Sequence, residues 1–187
     1  MIDLRVALLA ILSLFTAFIS VAEAAQWTLD KDQSSLGFTV LTTQAKIEAQ
    51  FETYDAQITL DPADLAAAKV AVDIDIASAR TGNAQNDGAI ASPTWMGAAA
   101  FPKATFTSTA IRNTGSNAYE MDGMLSLHGV EQTLTIPFSL DINGNEAVAK
   151  GDVDVIRTDF GIGQGPFASG DQVELSVKVR FQFTATK

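Results

Sequence analysis

From about residue 26 onward, apolar and polar positions alternate with a period of two through much of the chain. Val70, Val72, Ile74 and Ile76 share one parity, with Asp73 and Asp75 between them. Leu134, Ile136, Phe138, Leu140 and Ile142 form a second stripe, and Tyr119, Met121, Leu125 and Leu127 a third. Val173, Leu175, Val177, Val179, Phe181 and Phe183 form a fourth, interleaved with Glu174, Ser176, Lys178, Arg180 and Gln182. Period two marks strands with one buried and one wetted face. The pattern predicts antiparallel strands, the clearest of them over Gln172 to Thr184.

Between Lys46 and Asp61 the stripe changes parity. Ile47, Ala49 and Phe51 are apolar at odd positions, and Tyr54, Ala56, Ile58 and Leu60 at even ones. One extra residue inside a long strand has this effect, so a bulge is expected near Glu52–Tyr54. Long bent strands suit a closed barrel, where curvature needs bulges and closure removes exposed edges. Asp61-Pro62 predicts a short helical turn running through Ala68. Asn113 to Asn117, His128-Gly129 and Asn143-Gly144-Asn145 predict tight connections. One segment breaks the alternation: Ala79 to Phe101, "ARTGNAQNDGAIASPTWMGAAAF", is rich in alanine and poor in β-branched residues. It reads as a long connection with one or two short helices, lying across the barrel or its mouth. The fold expected is all-β, an antiparallel closed barrel with a short helical connection at about 79–101.

The amino terminus follows a different pattern. Arg5 precedes an apolar run from Val6 to Ala22 that ends in Ala22-Glu23-Ala24. Small residues at Ala22 and Ala24 suit a signal-peptidase cleft, so residues 1–24 are expected to be a signal peptide cleaved after Ala24, leaving an exported barrel domain over 25–187. The chain has 22 acidic and 12 basic residues, a net charge of −10, which disfavours nucleic acid because no basic patch neutralises phosphates. There are no cysteines, which removes disulfides, thiol chemistry and cysteine zinc sites.

Little catalytic chemistry is encoded. The single histidine, His128, sits in "SLHGVEQ" and reads as a surface turn residue. No Gly-x-Ser-x-Gly elbow is present, and no ligand cluster supports a metal site. The stretch "RTDFGIGQGPFASG", Arg157 to Gly170, looks like a phosphate cradle, but its spacing is Gly-x-Gly-x-Gly, Pro166 follows, and a strand rather than a helix comes next. Gly161, Gly163 and Gly165 instead read as positions needing positive φ or close approach. Arg157 and Asp159 are candidates for anchoring this loop through a salt bridge, or for contact at the barrel mouth. No catalytic residue is assigned, and the protein reads as a binding protein rather than an enzyme.

The segments "WTLDKDQSSLGFTV", "FETYDAQITLDP", "FPKATFTST", "YEMDGMLSLHGVEQTLTIPFSL" and "RTDFGIGQG" occur in this order between Trp27 and Phe183. Together they resemble the YceI-like family, exported proteins with a lipocalin-like barrel that bind polyisoprenoids or similar long-chain amphiphiles, and the resemblance implies an antiparallel eight-stranded barrel. The chain departs from the family in two places. Gln33-Ser34-Ser35 stands where a histidine often precedes the serine, and "ARTGNAQNDGAI" replaces a charged Arg-Asp-x-His run. Polar ligand contacts from those positions therefore do not carry over.

The resemblance implies a periplasmic carrier for a long-chain isoprenoid or similar amphiphilic lipid, with a quinone-like ligand and a cytochrome b561-type membrane partner suggested by analogy. No resident cofactor is expected. Inward-facing Phe38, Phe51, Phe106, Leu125 and Phe138 are the candidate wall of an apolar tunnel, with Val155 and Phe181. Trp95, Met96 and Phe101 are candidates to cap it, and Phe160, Ile162 and Phe167 border the glycine loop. Each alone is ordinary core material; as a set they suggest a cavity. The alternative is a packed barrel without cargo, acting through its acidic surface on a membrane-bound partner.

Overall fold

The computed structural model describes residues 25–187, so the signal peptide expected over 1–24 and its cleavage after Ala24 lie outside the described residues. The strands are β1 (Gln26–Leu41), β2 (Lys46–Phe51), β3 (Tyr54–Thr59), β4 (Lys69–Asp75), β5 (Ala79–Arg80), β6 (Lys103–Gly115), β7 (Ala118–Leu127), β8 (Val130–Asn143), β9 (Glu146–Ile156) and β10 (Ser176–Thr186). The one α-helix among the described residues, α1 (Ala84–Ala91), lies in the connection between β5 and β6. All pairings are antiparallel, and β10 pairs with both β9 and β1, closing the sheet. β2 and β3 both pair with β1 and form one bent strand, and β4 and β5 form another. The ring therefore has eight strand positions, as the family resemblance implied.

The parity switch at Glu52–Tyr54 marks a corner. β2 stops at Phe51 and β3 starts at Tyr54, while the neighbouring strand is interrupted at the same level by a 3₁₀ turn, Ile76–Ser78. Ser78 satisfies the backbone that the corner frees: its hydroxyl accepts from the Thr53 amide (3.0 Å) and donates to the Asp75 carbonyl (2.7 Å). A second register shift lies in β6 between Ser108 and Ala110, where the Ser108 hydroxyl accepts from the Val70 amide (2.8 Å). A third, in β1 between Asp30 and Ser35, places four residues opposite Phe183 alone. There the Asp30 carboxylate accepts from the amides of Asp32 and Gln33. Each bulge carries its own hydrogen-bonding side chain, and among the described residues no buried side-chain polar atom is left unpaired.

One end of the barrel is shut. The Trp27 indole there donates to the Leu60 carbonyl (2.9 Å), and Trp27, Leu60, Ala68 and Ala185 are all buried. The helical turn expected from Asp61 is instead a pair of tight turns closed by Asp64 N to Asp61 O and Ala68 N to Leu65 O. The other end carries α1, the turn at His128-Gly129 and the glycine loop of 157–175. The strand expected over Gln172–Thr184 begins only at Ser176; Val173 makes an isolated bridge to Thr42. Among the described residues no helix is long and apolar enough to cross a membrane.

Candidate functional site

Because inward positions alternate on every strand, the barrel axis is lined almost wholly by hydrocarbon. The side chains do not fill it. A cavity of about 350 Å³ runs along the axis, walled by Phe38, Phe51, Phe106, Leu125, Phe138 and Phe181 among others. Glycines on the inner wall make room for the aromatic rings. A Cβ at Gly151 would lie 2.8 Å from the Phe181 ring, and one at Gly123 would overlap the Phe106 ring. Phe106 and Phe181 thus lie along the wall rather than across the lumen, which keeps the space open.

The 79–101 connection crosses the open end as expected. Asn83 caps α1, accepting from the amides of Gln85 (2.9 Å) and Asn86 (3.2 Å). The Asp87 carboxylate turns back onto the hydroxyl and amide of Thr81 (both 2.7 Å), and these bonds hold its pKa below the usual carboxylate value. Asn86, Ala89 and Ile90, at i, i+3 and i+4, share the helix face that borders the cavity. Trp95 and Met96 complete this border. Phe101, also expected to cap the tunnel, does not line it. Its ring packs 4.5 Å from the His128 imidazole and against Gly129.

His128 is half-buried rather than a surface turn residue. His128 (φ 53°) and Gly129 (φ 76°) form a two-residue turn with both residues in the left-handed region. The turn directs the imidazole across to the glycine loop, where Nδ1 donates to the Phe160 carbonyl (3.0 Å). Phe101, His128-Gly129 and Phe160 therefore form one contact chain, which ties together three of the sequence segments that recur in order.

The glycine loop is organised around Arg157. This residue is 3% exposed, yet no carboxylate pairs with it; Asp159 points to solvent and forms no ion pair among the described residues. The salt bridge considered from sequence is replaced by five backbone carbonyls. Nε donates to Glu174 (3.0 Å), Nη1 to Ile162 and Gly163 (2.9 Å each), and Nη2 to Val173 (2.8 Å) and Phe167. A guanidinium has five N–H donors, and all are used. Burial lowers the Arg157 pKa from its ordinary value, but the group stays charged because arginine starts so high. Gly161, Gly163 and Gly165 all take positive φ (71°, 67° and 66°), and the Gly163 carbonyl is one of the five that accept from the guanidinium. Arg157 also lies 5.5 Å from the Trp95 ring centroid.

Seven of the ten candidate residues border the cavity: Phe38, Phe51, Trp95, Phe106, Leu125, Phe138 and Ile162. Phe101, Phe160 and Phe167 do not. Phe160 is buried in a separate cluster with Val155 and Ile162, and Phe167 packs on Trp95 with ring centroids 5.1 Å apart. Arg157, a candidate for the mouth or for anchoring the loop, borders the cavity, and so does Asn86, which was not singled out from sequence because its polarity disguises an interior position.

A closed antiparallel barrel with a shut base, a bordered mouth and an apolar lumen is a lipocalin-like binding barrel. The chain matches the YceI-like domain over residues 27–185 and belongs to that family. It is 30% identical to a UPF0312 protein of Pseudomonas putida (strain W619), the alignment covering 91% of this chain and 94% of the relative. Among solved structures, it is similar to Burkholderia cenocepacia BcnA with a TM-score of 0.81 and 29% identity, covering 84% of this chain and 99% of that one. A polyisoprenoid binding domain from Saccharophagus degradans, implicated in plant cell wall breakdown, shares the fold with a TM-score of 0.69 at 16% identity, covering 88% and 99% of the two chains.

Proposed function

We propose that the protein is a periplasmic binding and carrier protein for a long-chain isoprenoid or similar amphiphilic lipid, held with its chain in the barrel. The observation that carries this reading is the cavity itself: about 350 Å³, continuous along the axis and walled by apolar side chains. An apolar cavity of roughly 150 Å³ already stays dry and accepts benzene, and small-ligand sites start at roughly 300 Å³. Each methylene moved from water into such a space contributes about 0.8 kcal/mol. No covalent step is needed; affinity comes from keeping the chain out of water. The apolar leader with its Ala22-x-Ala24 exit supports export, and the S. degradans domain with the same fold supports an isoprenoid as the class of cargo. A quinone-like ligand and a cytochrome b561-type membrane partner extend the same reading. The cargo-free alternative calls for a filled interior, which this barrel lacks.

The test has two parts. The full chain is expressed with its leader, the protein recovered from the periplasm, and bound lipid extracted for mass spectrometry. An isoprenoid lipid is the expected finding. In parallel, Ala149→Phe places a ring in the lumen beside Leu140 and Phe183, the residues paired with Ala149 across the sheet. This variant should fold and take up little isoprenoid. No apolar ligand in the extract, together with no uptake of isoprenoids in vitro, overturns the proposal.

A further inference from the structure

Apart from two methionine sulfurs, five side chains bordering the cavity carry polar atoms: Trp27, Thr42, Asn86, Trp95 and Arg157. Three of these are fully engaged. Trp27 donates to Leu60, and the Thr42 hydroxyl donates to the Ala45 carbonyl while accepting from the amides of Gln44 and Ala45. Arg157 has spent all five donors on carbonyls. The Asn86 side-chain amide and the Trp95 indole N–H make no hydrogen bond to any described residue, and both reach solvent at the mouth. Both belong to the one connection that crosses the open end, and both are half-buried. A ligand whose chain fills the lumen puts its polar head at this end, since the Trp27 end is shut.

The electrostatics at this mouth decide what head fits. A phosphate needs a cation with free donors. Arg157 has none left, Arg80 is paired with Glu52 (3.5 Å) and bonded to the Ala77 and Ala79 carbonyls, and Lys46 is paired with Glu48 (2.5 Å). Lys103 is exposed and alternates with inward-facing Ala104, so it lies on the outer wall. Next to Asn86, the Asp87 carboxylate is ionised, and the whole chain carries a charge of −10. An anionic head meets the Asp87 charge here, while the charges of Arg80 and Lys46 are already matched by Glu52 and Glu48. An uncharged carbonyl or hydroxyl meets an amide able both to donate and to accept.

We propose that Asn86 is the specificity-determining residue at the mouth, binding an uncharged hydrogen-bonding head and discriminating against phosphorylated isoprenoids. The inference rests on the reading that the lumen takes an isoprenoid chain. Three probes with one chain length separate the two ideas: geranylgeraniol, its diphosphate, and a headless isoprenoid hydrocarbon, each titrated against the mature protein by displacement of a fluorescent apolar probe. The alcohol should bind about 3- to 10-fold tighter than the hydrocarbon, the scale of one net hydrogen bond. The diphosphate should bind weakest. In Asn86→Leu the alcohol-to-hydrocarbon ratio should fall to about one, with the circular dichroism spectrum verifying the fold. A diphosphate that binds as tightly as the alcohol, or a ratio that Asn86→Leu leaves intact, overturns the inference while the lumen reading stands. Failure of all three probes to bind removes the lumen reading and this inference with it.

Discussion

Replacing Arg157 with lysine keeps the charge and removes the geometry, so it isolates what the guanidinium does. Five carbonyls, those of Ile162, Gly163, Phe167, Val173 and Glu174, accept from five N–H donors in a site that is 3% exposed. An ammonium offers three donors from a single point. At least two carbonyls lose their partner, and each buried unsatisfied group costs about 1–3 kcal/mol. With some relief from entering water, Arg157→Lys should lower stability by about 2–4 kcal/mol. For a domain of this size each kcal/mol corresponds to about 2–4 °C, so the melting temperature should fall by about 5–15 °C. Urea unfolding measures the global loss, and amide exchange across 157–175 measures whether the loop opens on its own before the barrel does. If the variant loses less than about 0.5 kcal/mol, the range of a bland surface change, and the loop amides keep their protection, the carbonyl cage does not depend on the guanidinium.

Two further predictions concern the same end of the barrel. Gly163→Ala and Gly165→Ala share the same φ, but a Cβ at Gly163 would overlap Arg157 Nη1 and lie 2.8 Å from Trp95, whereas Gly165 faces open space. Gly165→Ala should cost about 1–2 kcal/mol in urea unfolding for the left-handed backbone alone, and Gly163→Ala at least about 1 kcal/mol more; equal losses would contradict the packing described. The Asp87 carboxyl has a folded-state pKa depressed by its bonds from Thr81, so its contribution is complete near neutral pH and is lost as pH falls through that lowered value, below about pH 4. The Thr81 and α1 amide resonances should shift over that acid window, and Asp87→Asn should abolish the dependence; an unchanged titration profile in the variant would refute it.

Much of the architecture was legible in the chain because strand alternation is a local signal. The stripe at Val70–Ile76 and the parity switch between Phe51 and Tyr54 each needed only neighbours a few residues away, and they led to strands, a corner and a closed barrel. The same parity turns Phe38, Phe106 and Phe138 inward, and all three border the lumen. Loop side chains carry no such period. Whether Phe101 and Phe167 face the lumen or pack on His128 and Trp95 depends on contacts between segments far apart in sequence.

By itself, then, the sequence determined the strand pattern, the bulge, the absence of thiol chemistry and the backbone role of Gly161, Gly163 and Gly165, since each depends on residue type and short spacing. Only the tertiary structure decided that Arg157 is held by carbonyls instead of Asp159, that Asn86 borders an apolar lumen, and that this lumen is open. A cavity is the volume left over after every wall residue has been placed, and the same inward residues around a slightly tighter ring would have made a solid core. Here glycines beneath Phe106 and Phe181 let the rings lie against the wall, and the space between them remains.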